Sequence, residues 1–219
     1  MMPIFTRMLA RLTRARGLHT LSVVFFALAL TAFVFGIGGN TSDLANITPG
    51  LVWAVLLLSS LLGLPLLLET DWADSTLDDF ILSPIPLPAL MALKMLAHIA
   101  ATALPAAIAA TLCVFAMAPD AFSPQLGIGL LLGGISFSAI GMLGAALTLG
   151  SSRAATLQAV IVMPLAVPPL IFGAGAAGAP LLGVSPVMPL SMLAAFTVSA
   201  ATLAPFAAAA IVRMKVTTP

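Results

Sequence analysis

Two side chains capable of acid–base chemistry lie one helical turn apart inside an otherwise apolar stretch of this sequence. They are Lys94 and His98, whose spacing of four residues puts both on one face of a helix. An ionisable residue within a membrane span is a functional candidate by default. A lysine near the end of a span can also extend its amine to the interface, and a buried histidine can simply be packed and hydrogen-bonded. Lys94 and His98 are therefore predicted either to border a ligand or its path, or to have these structural roles.

An acidic segment, residues 69–84, is the second candidate. It holds five of the seven acidic residues of the chain: Glu69, Asp71, Asp74, Asp78 and Asp79. Ser75 and Asp78 have the spacing of a capping box, with Asp in place of the usual Glu. A proline at 84 disfavours helix at Ser83. The pattern predicts a short helix that is capped at Ser75 and ends before Pro84.

This short helix is predicted to dock into a groove of another protein. Leu77, Phe80 and Ile81 recur at helical spacing and form an apolar stripe. Anionic lipid headgroups repel Asp78 and Asp79, which disfavours a helix that merely lies on the membrane. The predicted docking residues are Asp74, Ser75, Leu77, Asp78, Asp79, Phe80, Ile81 and Leu82.

The sequence lacks the common motifs of catalysis, metal binding and redox chemistry. Neither Lys94 nor Lys215 follows a glycine, which excludes a P-loop, and there is no H-E-x-x-H or G-x-S-x-G. The single cysteine, Cys113, excludes a C-x-x-C motif. We expect no catalytic residue, no metal site and no firmly bound cofactor in this chain.

The composition defines the elements that must position these residues. Of the 219 residues, 61% are hydrophobic and 7% are charged, whereas soluble domains are about 25% charged. A net charge of +1 without a long basic run excludes a nucleic-acid binder. The predicted fold class is an all-α integral membrane protein, a single transmembrane domain over residues 1–219.

Six segments have the roughly 20 apolar residues that a membrane span needs. They cover about residues 18–39, 49–68, 90–117, 126–149, 154–173 and 190–212. Residues 69–88 form the loop between the second and third spans, and the Gly- and Pro-rich stretch 175–189 is predicted to be a loop.

The basic residues predict the orientation. With alternating spans and a cytoplasmic N-terminus, all eight fall on the cytoplasmic side, as the positive-inside rule requires: Arg7, Arg11, Arg14, Arg16, Lys94, Arg153, Arg213 and Lys215. Both termini are therefore predicted to be cytoplasmic. Arg7, Arg11 and Arg14 also form the polar face of an amphipathic helix over residues 1–17, which is predicted to lie along the membrane surface and anchor the topology. Its alternative role is contact with a cytoplasmic partner.

Two spans carry residues that affect helix packing. The fourth contains Gly129-x-x-x-Gly133 followed by further small residues, which permit close approach of helices within the subunit or between two copies. The fifth contains Pro164, Pro168 and Pro169, which interrupt its backbone ladder. This predicts a kinked helix that either lines a cavity or is static.

Several motifs spread over almost the whole chain resemble the CcmB family, haem exporter protein B of bacterial cytochrome c maturation, a permease subunit of an ABC transporter. The segments that carry the resemblance are Pro49-Gly50-Leu51-Val52-Trp53, Asp74-Ser75-Thr76-Leu77, Leu82-Ser83-Pro84-Ile85-Pro86-Leu87, Lys94-Met95-Leu96-Ala97-His98, Gly144-Ala145-Ala146-Leu147-Thr148-Leu149-Gly150, Pro164-Leu165, Leu170-Ile171-Phe172 and Ala201-Thr202-Leu203-Ala204-Pro205-Phe206. The family usually has Asp-Gly where this chain has Asp74-Ser75.

The resemblance implies a location in the bacterial inner membrane and a set of partners. These are a second copy of the chain, a cytoplasmic ATPase (CcmA) that binds ATP, the membrane subunits CcmC and CcmD, and the haem chaperone CcmE. Residues 74–82 would then be the coupling helix in the ATPase groove. ATP hydrolysis would drive release of the haem-loaded chaperone, with haem as a possible substrate.

Two alternatives stay open at this point. The chain could be an ABC-type permease for another hydrophobic substrate such as a lipid or drug. It could also be a non-transporting scaffold that relays ATPase motion to haem-handling partner subunits, which the scarcity of polar groups in the spans favours.

Overall fold

The described residues of a computed structural model, 16–37, 41–117, 119 and 122–217, fold into α-helices joined by short turns. The helices are α1 (Arg16–Ile37), α2 (Thr41–Gly63), α3 (Glu69–Ala73), α4 (Thr76–Leu82), α5 (Leu87–His98), α6 (Leu104–Met117), α7 (Pro124–Thr148), α8 (Ala154–Gly178) and α9 (Val187–Thr217). No strand occurs within these ranges. The predicted interfacial helix, with Arg7, Arg11 and Arg14, falls on residues that lie outside the described part of the chain.

Five helical stretches within the described ranges are long and apolar enough to cross a membrane. They are Asn46–Gly63, Leu87–Ala116, Pro124–Thr148, Ala154–Leu182 and Val187–Val216. A shorter apolar stretch, Leu21–Ile37 in α1, has 17 residues and is about 25 Å long, close to the thickness of a bilayer core. The all-helical membrane class is confirmed, and α1 as a sixth span stays a prediction.

The predicted loop over 175–189 is wrong at its start. Helix α8 continues to Gly178, and a 3₁₀ turn, Ala179–Leu182, follows it directly. Ala176 and Ala177 are buried against other helices. In an apolar environment a backbone must satisfy its own hydrogen bonds, so small residues covered by neighbouring helices stay helical.

The prolines also lie inside helices. Pro49 is within α2, which begins at Thr41, earlier than the predicted second span. Pro164, Pro168 and Pro169 are all within α8. Neighbouring helices and local adjustments make such interruptions tolerable in an apolar bundle.

Helix α7 lies at the centre of the bundle. In its most apolar stretch 67% of the residues are buried inside the protein, against 28% to 44% in the other four long stretches found among the described residues. It packs against α6, α8, α9 and α2. The small residues of the fourth predicted span therefore serve packing within the chain in this structure.

The glycines of α7 receive bulky side chains from its neighbours. The indole of Trp53 on α2 lies against Gly133, and Leu64 lies against Gly141. Gly173 on α8 also lies against the indole. Trp53 is 0% exposed and also meets Phe137 edge-on, with ring centroids 6.3 Å apart. Close approach at these glycines thus joins α2, α7 and α8.

Candidate functional site

The acidic segment forms two short helices, α3 and α4, and we name residues 69–82 the α3–α4 segment. Ser75 lies between the helices with φ of 56° and ψ of 18°, and its carbonyl accepts a hydrogen bond from the Asp78 N–H at 3.2 Å. The Ser75 side chain makes no capping bond. The predicted capping box is therefore wrong, because the left-handed backbone at Ser75 makes the turn without it.

The predicted end of α4 is confirmed. Helix α4 stops at Leu82, and Ser83 is extended with ψ of 145°. The ring of Pro84 disfavours the helical region at the preceding residue. The sequence therefore defined this boundary correctly.

The apolar stripe of α4 faces the protein's own core. Leu77 is 1% exposed, and Phe80 and Ile81 pack against the same apolar cluster, which includes Met91 on α5 and Val212 on α9. Burial of a large aliphatic side chain stabilises by about 1.5–3 kcal/mol. Leu77 thus anchors α4 to the bundle and, contrary to the prediction, is not available to a partner in this structure.

The outer face of α4 consists of Asp78, Asp79 and Leu82. All three are exposed, and Leu82 is 83% exposed. Asp74 and Ser75, in the turn between α3 and α4, are exposed as well. Of the predicted docking residues, these five are exposed in the structure, whereas Leu77 is buried.

Lys94 forms a buried ion pair with Asp71 of α3. The two side chains are 6% and 8% exposed. The prediction that Lys94 extends to the interface is wrong, since the carboxylate lies beside its amine within the protein. The sequence did not identify Asp71 as the partner of Lys94. A lysine in an apolar helix signals a need for a counter-charge, but five nearby acids could have supplied it.

His98 lies one turn deeper and is hydrogen-bonded to Ser138 of α7. Its Nδ1 is 3.1 Å from Ser138 Oγ, and that hydroxyl donates to the Gly134 carbonyl at 2.9 Å. Because Ser138 has one proton and gives it to Gly134, His98 Nδ1 must carry the proton and donate to Ser138. This geometry fits the structural alternative for His98.

A small polar chamber adjoins His98. It is lined by the hydroxyls of Ser22, Ser59, Ser60, Thr102 and Ser138, and its volume is about 10 Å³. This volume holds about one water molecule, whereas pockets for organic ligands measure about 300–1,000 Å³. An organic ligand does not fit beside His98 in this conformation.

Two larger cavities flank Trp72 at the end of the bundle that carries the α3–α4 segment. One, of about 320 Å³, is bordered by Glu69 and by residues 148–152 after α7. The other, of about 880 Å³, lies between α4 and the end of α9, beside Lys215. Lys215 Nζ donates to the carbonyls of Leu147 and Leu149 at 2.9 and 2.7 Å, which ties α9 to the end of α7.

Metal-binding groups do not cluster in the part of the chain that the structure describes. Within that part, the site consists of an anchored acidic helix, a buried ion pair behind it and a hydrogen-bonded histidine one turn further along. These features define a helical membrane protein with an exposed acidic surface at one end.

The chain belongs to the CcmB family: the model of that family, described as CcmB protein, matches residues 1–215. It is 40% identical over 217 residues to Heme exporter protein B of Paracoccus denitrificans, covering 98% of this chain and 99% of that protein. It is 38% identical over 215 residues to Heme exporter protein B of Rhodobacter capsulatus, with coverage of 98% and 99%. For the protein of that name from Pseudomonas aeruginosa, identity is 38% over 195 residues, covering 89% and 87%.

Proposed function

We propose that this protein is the membrane permease subunit of an ABC transporter that delivers haem for the maturation of c-type cytochromes. The observation that carries the proposal is the match of the whole chain to the CcmB family and to relatives named Heme exporter protein B. The anchored α4, with its exposed acidic outer face, supplies a surface for a separate ATPase. Because the chain itself lacks a P-loop, ATP is bound and hydrolysed by that partner.

The proposed mechanism uses α4 as the coupling helix. Its outer face enters a groove of the ATPase, CcmA, while Leu77 holds it to the bundle. Movement of the ATPase during hydrolysis then displaces the membrane helices and releases the haem-loaded chaperone, CcmE. CcmC, CcmD and a second copy of this chain complete the complex, with haem as its substrate.

The proposed location is the bacterial inner membrane, with six spans and both termini in the cytoplasm. The basic side chains within the described ranges support this orientation. Lys94 pairs with Asp71 of the α3–α4 segment, Lys215 bonds to the end of α7, and Arg153 follows that end of α7. Basic residues on one side of the bundle identify its cytoplasmic side.

The test is co-purification of the ATPase with a variant of the outer face. Asp78→Lys with Leu82→Glu reverses one charge and removes the protruding apolar group without touching the buried Leu77. We expect the amount of bound ATPase to fall more than about tenfold, the scale of a lost interface hot spot.

Leu182→Glu is the matched control. Leu182 is 79% exposed, close to the 83% of Leu82, and it follows the far end of α8. It should retain the ATPase. If both variants bind the ATPase as the wild type does, the outer face of α4 is not the docking surface.

A non-transporting scaffold is the second candidate function. It is favoured by the small chamber at His98 and by the serine and threonine hydroxyls that donate to carbonyls of their own helices, such as Ser59 to Leu56 and Thr197 to Leu193. Reconstituted complexes distinguish the two: transport requires ATP-dependent passage of haem across the vesicle membrane, whereas a scaffold releases the chaperone without it. A permease for another hydrophobic substrate would show ATPase stimulation by that substrate and none by haem.

A further inference from the structure

The Asp71–Lys94 ion pair brackets the outer face of α4. Asp71 lies on α3, just before α4, and Lys94 lies on α5, just after it. The pair therefore joins the two ends of the stretch of chain that carries Asp78, Asp79 and Leu82. Both ends of the partner-facing element are fixed to each other inside the protein.

Burial makes this pair a stiff connection. Its side chains are 6% and 8% exposed, so water screens the attraction far less than at a surface. Separating the charges would leave each one desolvated and uncompensated. α3 and α5 are therefore expected to move together when a partner displaces α4.

The connection continues into the bundle along α5. His98 follows Lys94 by one turn and contacts Ser138 on the central helix α7. A π-helical turn, Ile99–Ala103, begins directly after His98, and Thr102 Oγ1 donates to the His98 carbonyl at 2.7 Å. π turns are rare and occur frequently at functional sites. Movement of α5 would therefore be transmitted to α7 and to the irregular turn that joins α5 to α6.

We propose that Asp71 and Lys94 are positioning residues that transmit movement of the coupling helix to α5 and from there to the membrane bundle. This inference rests on the proposed function, because it requires an ATPase on the outer face. The pair does not contribute to docking, since the protein covers it. Its loss should therefore uncouple ATP hydrolysis from chaperone release without removing the ATPase.

The experiment uses the assembled complex, with the full chain carrying Asp71→Asn or Lys94→Gln. The ATPase should co-purify in wild-type amounts. Release of the haem-loaded chaperone per ATP hydrolysed should fall about tenfold, within the usual range for an allosteric coupling energy. Glu69→Gln is the matched control, because Glu69 is an exposed acid of the same segment that is not one of the docking residues, and it should couple normally.

Two double variants separate transmission from stability. The exchanged pair Asp71→Lys with Lys94→Asp restores an ion pair and should regain most of the coupling. The apolar pair Asp71→Leu with Lys94→Met removes both buried charges, which is often neutral for stability, and should assemble but remain uncoupled.

Three results would overturn the inference. They are normal coupling in Asp71→Asn, loss of the ATPase from that variant, and normal coupling in the apolar pair. Failure of the proposed function would appear elsewhere, as ATPase retained by the Asp78→Lys, Leu82→Glu variant.

Discussion

Ser75 has a left-handed backbone at the junction of α3 and α4. Its φ is 56°, the only positive φ of a non-glycine residue within the described ranges. Such a conformation costs roughly 1–2 kcal/mol for a residue with a Cβ, and glycine adopts it freely. The glycine that the family usually has where this chain has Ser75 is explained by this left-handed backbone.

Ser75→Gly should therefore raise the free energy of unfolding. We expect a gain of about 0.5–1 kcal/mol, because relief of the left-handed strain exceeds the added flexibility of glycine in the unfolded chain. The measurement is denaturant unfolding of the protein in detergent micelles.

Ser75→Ala is the control and should change stability by less than about 0.5 kcal/mol, because no capping bond is lost. A loss of about 1 kcal/mol in the alanine variant would instead restore the capping-box interpretation.

At the scale of elements, the bundle is held where Trp53 of α2 enters a slot between α7 and α8. Gly133 and Gly173 both lie against the indole ring, and a methyl group added at either would collide with it. Trp53 is fully buried and its Nε1 has no hydrogen-bond acceptor among the described residues. Shape, rather than hydrogen bonding, keeps the indole in place.

Gly133→Ala and Gly173→Ala should each destabilise the protein by about 1–3 kcal/mol, the usual cost of overpacking a filled core. Gly36→Ala is the control, since nothing lies within 4 Å of the added Cβ. Thermal unfolding of detergent-solubilised protein measures the difference.

The Trp53→Leu, Gly133→Ala double variant should lose less stability than the sum of its single variants, because the smaller side chain leaves room for the methyl. Equal stability of Gly133→Ala and Gly36→Ala would show that the slot is not tight.

At the scale of the whole molecule, we predict its orientation in the membrane, with the α3–α4 segment on the cytoplasmic side. Leu82 belongs to the outer face of α4 and Leu182 follows α8 at the opposite end, and both are highly exposed. In a Cys113→Ala background, Leu182→Cys should react with a membrane-impermeant maleimide in intact spheroplasts. Leu82→Cys should react only after permeabilisation. The reverse pattern would place the α3–α4 segment outside and contradict contact with a cytoplasmic ATPase.

The sequence alone determined the class of this protein and most of its helices. With 61% hydrophobic and 7% charged residues, the chain can remove its apolar side chains from water only by placing them in lipid or between its own helices. Long apolar runs must be helical in that environment. Pro84 determined the end of α4 for an equally local reason. The family was also visible, because its motifs are spread along the whole chain.

Only the tertiary structure decided which side chains work together. The stripe of Leu77, Phe80 and Ile81 could have faced a partner or the core, and the packing of α5 and α9 beneath it placed it in the core. Lys94 could have paired with any of five nearby acids, and the position of α3 selected Asp71. Local pattern determines which residues share a helix face, but what that face meets depends on distant parts of the chain.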